Sequence, residues 1–248
     1  MKFIKLPSPN FDERTLPVSL LVLHYTGMKS GEAALQRLCD PKAKVSAHYV
    51  VEEDGRIFDV VDDSKRAWHA GVCEWQGERN VNSASIGIEI VNGGHDFLDK
   101  DGGLPPFPDA QIIALIGLCK MLLTRHGIGP LAVVGHSDIA PMRKRDPGEH
   151  FPWGGLAAAG VGVFPEGIEP DRRVLFGKDS RDRGVAIFQR GLADIGYAAR
   201  VSGVMDEETS SIVAALQRRY RPVQIDGVVD METMDILRWL SEQHRRLA

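Results

Sequence analysis

The sequence predicts an α/β protein: a mixed central β-sheet flanked by helices, with a second, smaller three-helix domain. Three observations lead there. In the first 155 residues, short apolar runs of strand type are mixed with longer stretches of helical spacing, and a sheet interleaved with helices is covered on its faces. The segment 154–170, GGLAAAGVGVFPEGIEP, then loses all periodicity and reads as a linker. Beyond it, the heptapeptide GVMDEET at 203–209 returns as GVVDMET at 227–233. The expected boundaries are 1–155 for the larger domain, 156–172 for the linker and 173–248 for the smaller one.

Strands are predicted near 18–24, 47–52, 56–61, 85–91 and 131–136, and a short helix over 31–39. YVVEEDGRIFDVV reads as a hairpin, with Asp54-Gly55 supplying the positive backbone angles of a tight turn. A helix is expected over 109–126, where Ile112, Ile113, Leu115, Ile116, Cys119, Leu122 and Leu123 recur at helical spacing and Gly127 follows as a stop. In the repeat, Asp206 and Asp230 each stand three residues before a threonine, placed to accept bonds from the free amides of a helix's first turn. The apolar faces that follow are Ile212, Val213 and Leu216 in one copy and Met234, Leu237 and Leu240 in the other. With the preceding VAIFQRGLADIGY they make a three-helix module.

Composition narrows the partners. The chain is 43% hydrophobic and 26% charged with a net charge of -4, so no basic surface points to nucleic acid or to an anionic membrane. No stretch approaches the roughly 20 apolar residues of a membrane span, and the most apolar candidate, AQIIALIGLCKMLL, is broken by Lys120. At the start, Pro7, Pro9, Asp12, Glu13 and Arg14 interrupt any apolar signal core. Cys39, Cys73 and Cys119 are odd in number and lack CxxC spacing. Both features favour a cytoplasmic protein with reduced thiols.

The residues with chemical potential are histidines at strand ends. His24 closes VSLLVLHYT and His136 closes LAVVGHSD, so each imidazole projects from the mouth of a buried strand, and Asp146 lies ten residues beyond the second. Two imidazoles and a carboxylate leave a tetrahedral zinc one open position for water, the mark of a catalytic rather than a structural site. Glu89 sits in SASIGIEIV, where alternation puts Ile86, Ile88 and Ile90 on one face and Ser85, Gly87 and Glu89 on the other. Two readings stand: an exposed or ion-paired carboxylate, or a general base for the attacking water. Lys144 is likewise either a solvated loop cation or a stabiliser of the oxyanion formed when water attacks a carbonyl. No HExxH helix occurs, which removes the signature of an ordinary zinc peptidase.

LHYT at 23–26, SAHYVVEEDGRIFDVV at 46–61, AWHAGVCEWQGERNVNSASIGIEIVN at 67–92 and VGHSDIAPMRKRDPGEHFPW at 134–153 together resemble the zinc-dependent N-acetylmuramoyl-L-alanine amidases of the anhydromuropeptide type. The resemblance implies hydrolysis of the amide joining N-acetylmuramic acid, in its ordinary or its 1,6-anhydro form, to the first L-alanine of the stem peptide, in cell-wall recycling or remodelling. It implies His24, His136 and Asp146 as zinc ligands, Glu89 as acid/base and Lys144 as the cation beside the substrate carbonyl. Tyr25, His48, His69, Arg79 and Asn82 fall within the matching motifs as candidate substrate-binding residues. For Arg79 the alternative is a plain loop arginine, and for His48 and Tyr25 a buried role in the sheet. Residues 184–240, with LADIGY, the repeat and ALQRRYRP, resemble a three-helix peptidoglycan-binding domain. The implied partners are peptidoglycan fragments or the polymer. The rival reading is a peptidoglycan sensor that keeps the fold without the chemistry.

Overall fold

The apolar runs of the first half of the chain build one mixed sheet, seen in a computed structural model that describes residues 1–247. In chain order its elements are β1 (Phe3–Lys5), β2 (Phe11–Glu13), β3 (Leu20–Tyr25), α1 (Gly31–Cys39), β4 (Tyr49–Val51), β5 (Ile57–Asp59), β6 (Lys65–Ala67), α2 (Val81–Ala84), β7 (Ser85–Ile90), α3 (Asp109–His126), β8 (Val133–Gly135), α4 (His136–Ile139) and α5 (Trp153–Ala158). The sheet order is β1-β5-β4-β7-β3-β8. Strands β4, β7, β3 and β8 run parallel, and β5 lies antiparallel to β4. Leu21, Val22 and Leu23 of β3 and Ile86, Ile88 and Ile90 of β7 are fully buried, as befits the centre of a parallel sheet covered on both faces.

The long helix forms as its periodicity predicts, over Asp109–His126, and stops at Gly127, whose φ of 65° is the left-handed conformation that suits glycine. Leu115, Leu118, Cys119 and Leu122 face inward, whereas Ile113, assigned to the apolar face from spacing, is 71% exposed. Its buried stripe also includes Gln111, whose Nε2 donates to the carbonyls of Val51 and Val91 and so satisfies the ends of β4 and β7. The hairpin β4–β5 is present, but its turn is wider than two residues: Glu52 N–H donates to the Arg56 carbonyl, and of the pair Asp54-Gly55 only Gly55 has positive φ, at 85°. This is the longer loop in which a single left-handed residue suffices.

Two further expectations change. Strands β1, β2 and β6 are three residues each, β1 and β2 mostly exposed and β6 (Lys65–Ala67) burying only Ala67, so they carry no apolar pattern to read. Residues 154–158, read as aperiodic linker, belong to α5, which buries Trp153 and Leu156; glycine and alanine conceal a helix anchored by one or two large side chains.

By its packing the described chain divides into two compact units, the second comprising Glu74–Arg79, Ser137–Arg145 and the residues from Phe164 onward. Within it are β9 (Val174–Phe176), α6 (Arg183–Asp194), α7 (Glu207–Tyr220), β10 (Val229–Asp230) and α8 (Met231–Leu247). The repeat is physical as well as textual. Asp206 Oδ1 accepts from Thr209 N–H, and Asp230 Oδ1 from Thr233 N–H, both at 2.9 Å. Ahead of each copy's capped helix, a buried glutamine of the previous helix grips the intervening turn. Gln189 Oε1 accepts from Ser202 and Gly203 N–H while its Nε2 donates to Val204 O and Thr209 Oγ1. Gln217 Oε1 accepts from Asp226 and Gly227 N–H while its Nε2 donates to Val228 O and Thr233 Oγ1. In α8 the buried face is Thr233, Ile236, Leu237 and Leu240; Met234, expected there, is half-buried. Asp138 is also buried in this unit, paired with Arg219 at 2.7 Å and accepting from Tyr197 Oη at 2.8 Å. Among the described residues, no helix is long and apolar enough to cross a membrane.

Candidate metal centre

His24 is the fifth residue of β3, and His136 opens α4 directly after β8 ends at Gly135. Because β3 and β8 are neighbouring parallel strands, their C-terminal ends bring the two imidazoles together, and the chain returns through Asp146 to the same point. His24 Nδ1 lies 2.9 Å from His136 Nδ1 and 3.1 Å from Asp146 Oδ2, and His136 Nδ1 is 3.0 Å from the same oxygen. All three residues are buried. Burial opposes ionisation of Asp146, yet the charge and hydrogen bonding of His136, with those of His24, hold its carboxyl well below the usual carboxylate range.

The surrounding hydrogen bonds decide what those three atoms present. His136 Nε2 is 3.0 Å from the Ala70 carbonyl, which only accepts, so Nε2 donates to it and Nδ1 is the nitrogen turned to the cluster. Ser85 Oγ donates to the Val81 carbonyl at 2.5 Å and therefore accepts from His69 Nε2 at 3.1 Å. Burial, together with the neighbouring imidazoles of His24, His48 and His136, keeps His69 far below the usual histidine range. With its Nε2 proton committed to Ser85, a neutral His69 ring offers Nδ1 as an acceptor, 3.0 Å from His24 Nε2. His24 Nδ1 is then the nitrogen turned to the cluster.

Two imidazole nitrogens and a carboxylate oxygen thus converge on one point, each able to offer a lone pair to a cation there. A tetrahedral zinc with bonds near 2.0–2.1 Å sets its ligand atoms about 3.3 Å apart, close to the separations found. The donor set and its second layer of hydrogen bonds fit a zinc ion.

Glu89 stands opposite His24 in the register of β7 against β3, and residues paired across adjacent strands share a face, with strands about 4.8 Å apart. The Ser85, Gly87 and Glu89 face is not an exposed one: Ser85 and Gly87 are buried and Glu89 is half-buried. This polar face of an otherwise apolar strand supports the metal centre. Lys144 is half-buried in the turn where the Arg143 and Lys144 N–H groups donate to Ala140 O.

The other candidates separate. Tyr25 Oη is 2.9 Å from His95 Nδ1, and His95 Nε2 is 3.1 Å from Glu149. His69 is the partner of His24. His48 is fully buried; its Nδ1 accepts from Gly87 N–H, and its Nε2 lies by Arg14 and the Lys65 carbonyl. It is therefore a strut of the sheet and has no surface to offer a substrate. Asn82 is also buried, its Oδ1 accepting from His69 and Ala70 N–H, so it holds the segment that carries both outer partners of the ligands. Arg79 is on the surface, 83% exposed, and pairs with Glu74 at 2.8 Å. Sequence spacing did not reveal Ser85, Gly87 or the Ala70 carbonyl. The available signal was the run of small and polar residues on one face of β7.

The N-acetylmuramoyl-L-alanine amidase family Amidase_2 matches residues 14–149, and the peptidoglycan-binding family PG_binding_1 matches residues 181–237. The chain is 35% identical over 241 residues to N-acetylmuramoyl-L-alanine amidase AmiD of Escherichia coli (strain K12), covering 92% of this chain and 83% of the relative. To the 1,6-anhydro-N-acetylmuramyl-L-alanine amidase AmpD of Haemophilus influenzae it is 36% identical over 169 residues, 60% of this chain and 87% of the relative. The solved complex of E. coli AmiD with anhydro-N-acetylmuramic acid-L-Ala-D-gamma-Glu-L-Lys superposes with a TM-score of 0.79 at 34% identity, covering 91% of this chain and 89% of that one. AmpDh3 from Pseudomonas aeruginosa gives 0.74 at 33% identity, covering 96% and 95%. A family match across more than half of the residues, and a relative aligned over nine-tenths of them, show that the chain belongs to the N-acetylmuramoyl-L-alanine amidase family.

Proposed function

We propose that this amidase cleaves the bond between N-acetylmuramic acid and L-alanine in muropeptides, including those with a 1,6-anhydro sugar, using a zinc ion held by His24, His136 and Asp146. The observation that carries the reading is the convergence of two buried imidazole nitrogens and a carboxylate oxygen within about 3 Å of one another. A zinc ion bound there would polarise the scissile carbonyl and lower the pKa of the attacking water toward neutrality.

The protein's own groups do the rest. Glu89, facing His24 across one strand pair, takes a proton from the attacking water and returns one to the leaving L-alanine amine. Lys144 places a fixed positive charge against the oxyanion of the tetrahedral intermediate. Tyr25 and Arg79 supply polar contacts at the substrate, with Arg79 suited to a stem-peptide carboxylate. The residues through the end of α5 at Ala158 form the amidase domain, 159–172 the linker, and 173–248 a module that holds peptidoglycan, in keeping with the family match over 181–237. The free thiols of Cys39, Cys73 and Cys119 support a reducing, cytoplasmic setting.

The test is to incubate the protein with an anhydromuropeptide and, separately, with intact sacculi, and to identify the released peptide by mass spectrometry. The expected product is stem peptide with a free L-alanine amine, lost on chelation, restored by zinc and reduced at least about 100-fold by Glu89→Gln. Glycan binding by metal-loaded protein without peptide release would make the protein a sensor instead.

A further inference from the structure

We propose that His69 is a positioning residue for the metal ligand His24: a hydrogen-bonded relay running Val81 carbonyl, Ser85 hydroxyl, His69, His24 sets which nitrogen of His24 faces the metal. The inference rests on the zinc reading above and adds residues to it.

The two ligand histidines are held differently. His136 leans on the Ala70 carbonyl, a partner that cannot change its hydrogen-bonding sense. His24 leans on an imidazole, which can accept or donate according to where its own proton sits. The sense of that bond is therefore imposed one step further out. Ser85 Oγ spends its single proton on the Val81 carbonyl and can only accept from His69 Nε2. In the neutral ring His69 Nδ1 then accepts from His24 Nε2, and His24 Nδ1 is the nitrogen turned to the site.

The socket around His69 is built to allow this and nothing looser. A Cβ on Gly87 would stand 2.4 Å from His69 Cγ and 2.5 Å from its Nδ1, so the glycine in SIGIEI is the space the ring occupies. Asn82 Oδ1 takes the His69 backbone N–H at 3.0 Å and fixes the ring from its root. His48 closes the remaining side at a centroid distance of 5.8 Å. Ring, hydroxyl, glycine gap and amide thus define one orientation of one side chain, next to a ligand and away from the atoms that react.

The relay is tested by zinc affinity, measured by chelator competition, with the melting temperature of each metal-free variant as a control for folding. His69→Leu removes the acceptor and is expected to weaken zinc binding about 10- to 100-fold, the usual effect of losing an outer partner. His69→Asn puts a carbonyl oxygen near the place of Nδ1 and should restore affinity to within about threefold of the parent. Ser85→Ala leaves His69 in place but frees its tautomer, and should weaken binding by about tenfold at an unchanged melting temperature. Parental zinc affinity in His69→Leu would overturn the relay. So would equal losses in His69→Leu and His69→Asn, which would mean the ring acts by bulk. If His69→Leu does not fold, Ser85→Ala decides alone, parental affinity refuting the relay. Failure of the parent protein to bind zinc would instead refute the metal reading itself.

Discussion

Gly87→Ala isolates the fit between β7 and His69. The added methyl meets Cγ, Nδ1 and Cδ2 of the ring at 2.4–2.6 Å, whereas apolar contacts settle near 3.5–4.0 Å, so the ring must retreat by about 1 Å. Its hydrogen bonds to His24 and Ser85, now 3.0 and 3.1 Å long, would then stretch past the limit of a useful bond. Overpacking costs about 1–3 kcal/mol and each of the two lost hydrogen bonds about 1 kcal/mol, so a destabilisation of about 3–5 kcal/mol is expected. The assay is urea unfolding of chelator-washed protein followed by circular dichroism, in the parent and in His69→Ala. With the ring removed, the methyl has room and the cost of Gly87→Ala should fall below about 0.5 kcal/mol, an interaction energy at or above the upper end for neighbouring residues. Equal cost in both backgrounds would refute the reasoning, because the penalty would then belong to the strand backbone.

Other consequences concern pH and the repeat. Burial, the largest effect, lowers the pKa of His48 from 6.5 to about 4. A depressed folded-state value means that the unfolded chain binds the proton first, so stability is complete above about 6.5 and is lost as pH falls toward about 4, by about 3 kcal/mol in all. Urea midpoints at pH 7.5 and 4.5 should show this loss, and His48→Asn should shrink it; an identical pH dependence in the variant would contradict the assignment. Gln217→Ala strips the buried Gly227 N–H and the more exposed Asp226 N–H of their acceptor, and at about 1–3 kcal/mol for one unsatisfied buried donor it should destabilise the protein by about 2 kcal/mol. A loss under about 1 kcal/mol in urea unfolding would show that water replaces the glutamine.

What could be read in the sequence divides along physical lines. Helix α3 was legible because a long element with an unbroken apolar stripe and a glycine stop has few alternative interpretations, and its ends fall at Asp109 and His126 as expected. His24, His136 and Asp146 were legible because apolar strands ending in histidine are uncommon and the sheet brings strand ends together. Gln111, Gln189 and Gln217 were not, since periodicity assigns polar residues to the surface, and only the tertiary structure shows them satisfying buried backbone groups. The same limit applied to His48, His69 and Asn82. Their motifs placed them near the site, but a motif does not distinguish a residue that touches substrate from one that holds a ligand or a strand.

The most direct measurement is a zinc-edge anomalous diffraction map of protein crystallised with zinc. The account predicts a single strong peak per chain within about 2.0–2.2 Å of His24 Nδ1, His136 Nδ1 and Asp146 Oδ2, and no such peak in crystals of His24→Ala. A well-ordered site with those three side chains in place and no density between them, or zinc coordinated through Nε2 of His24, would contradict it.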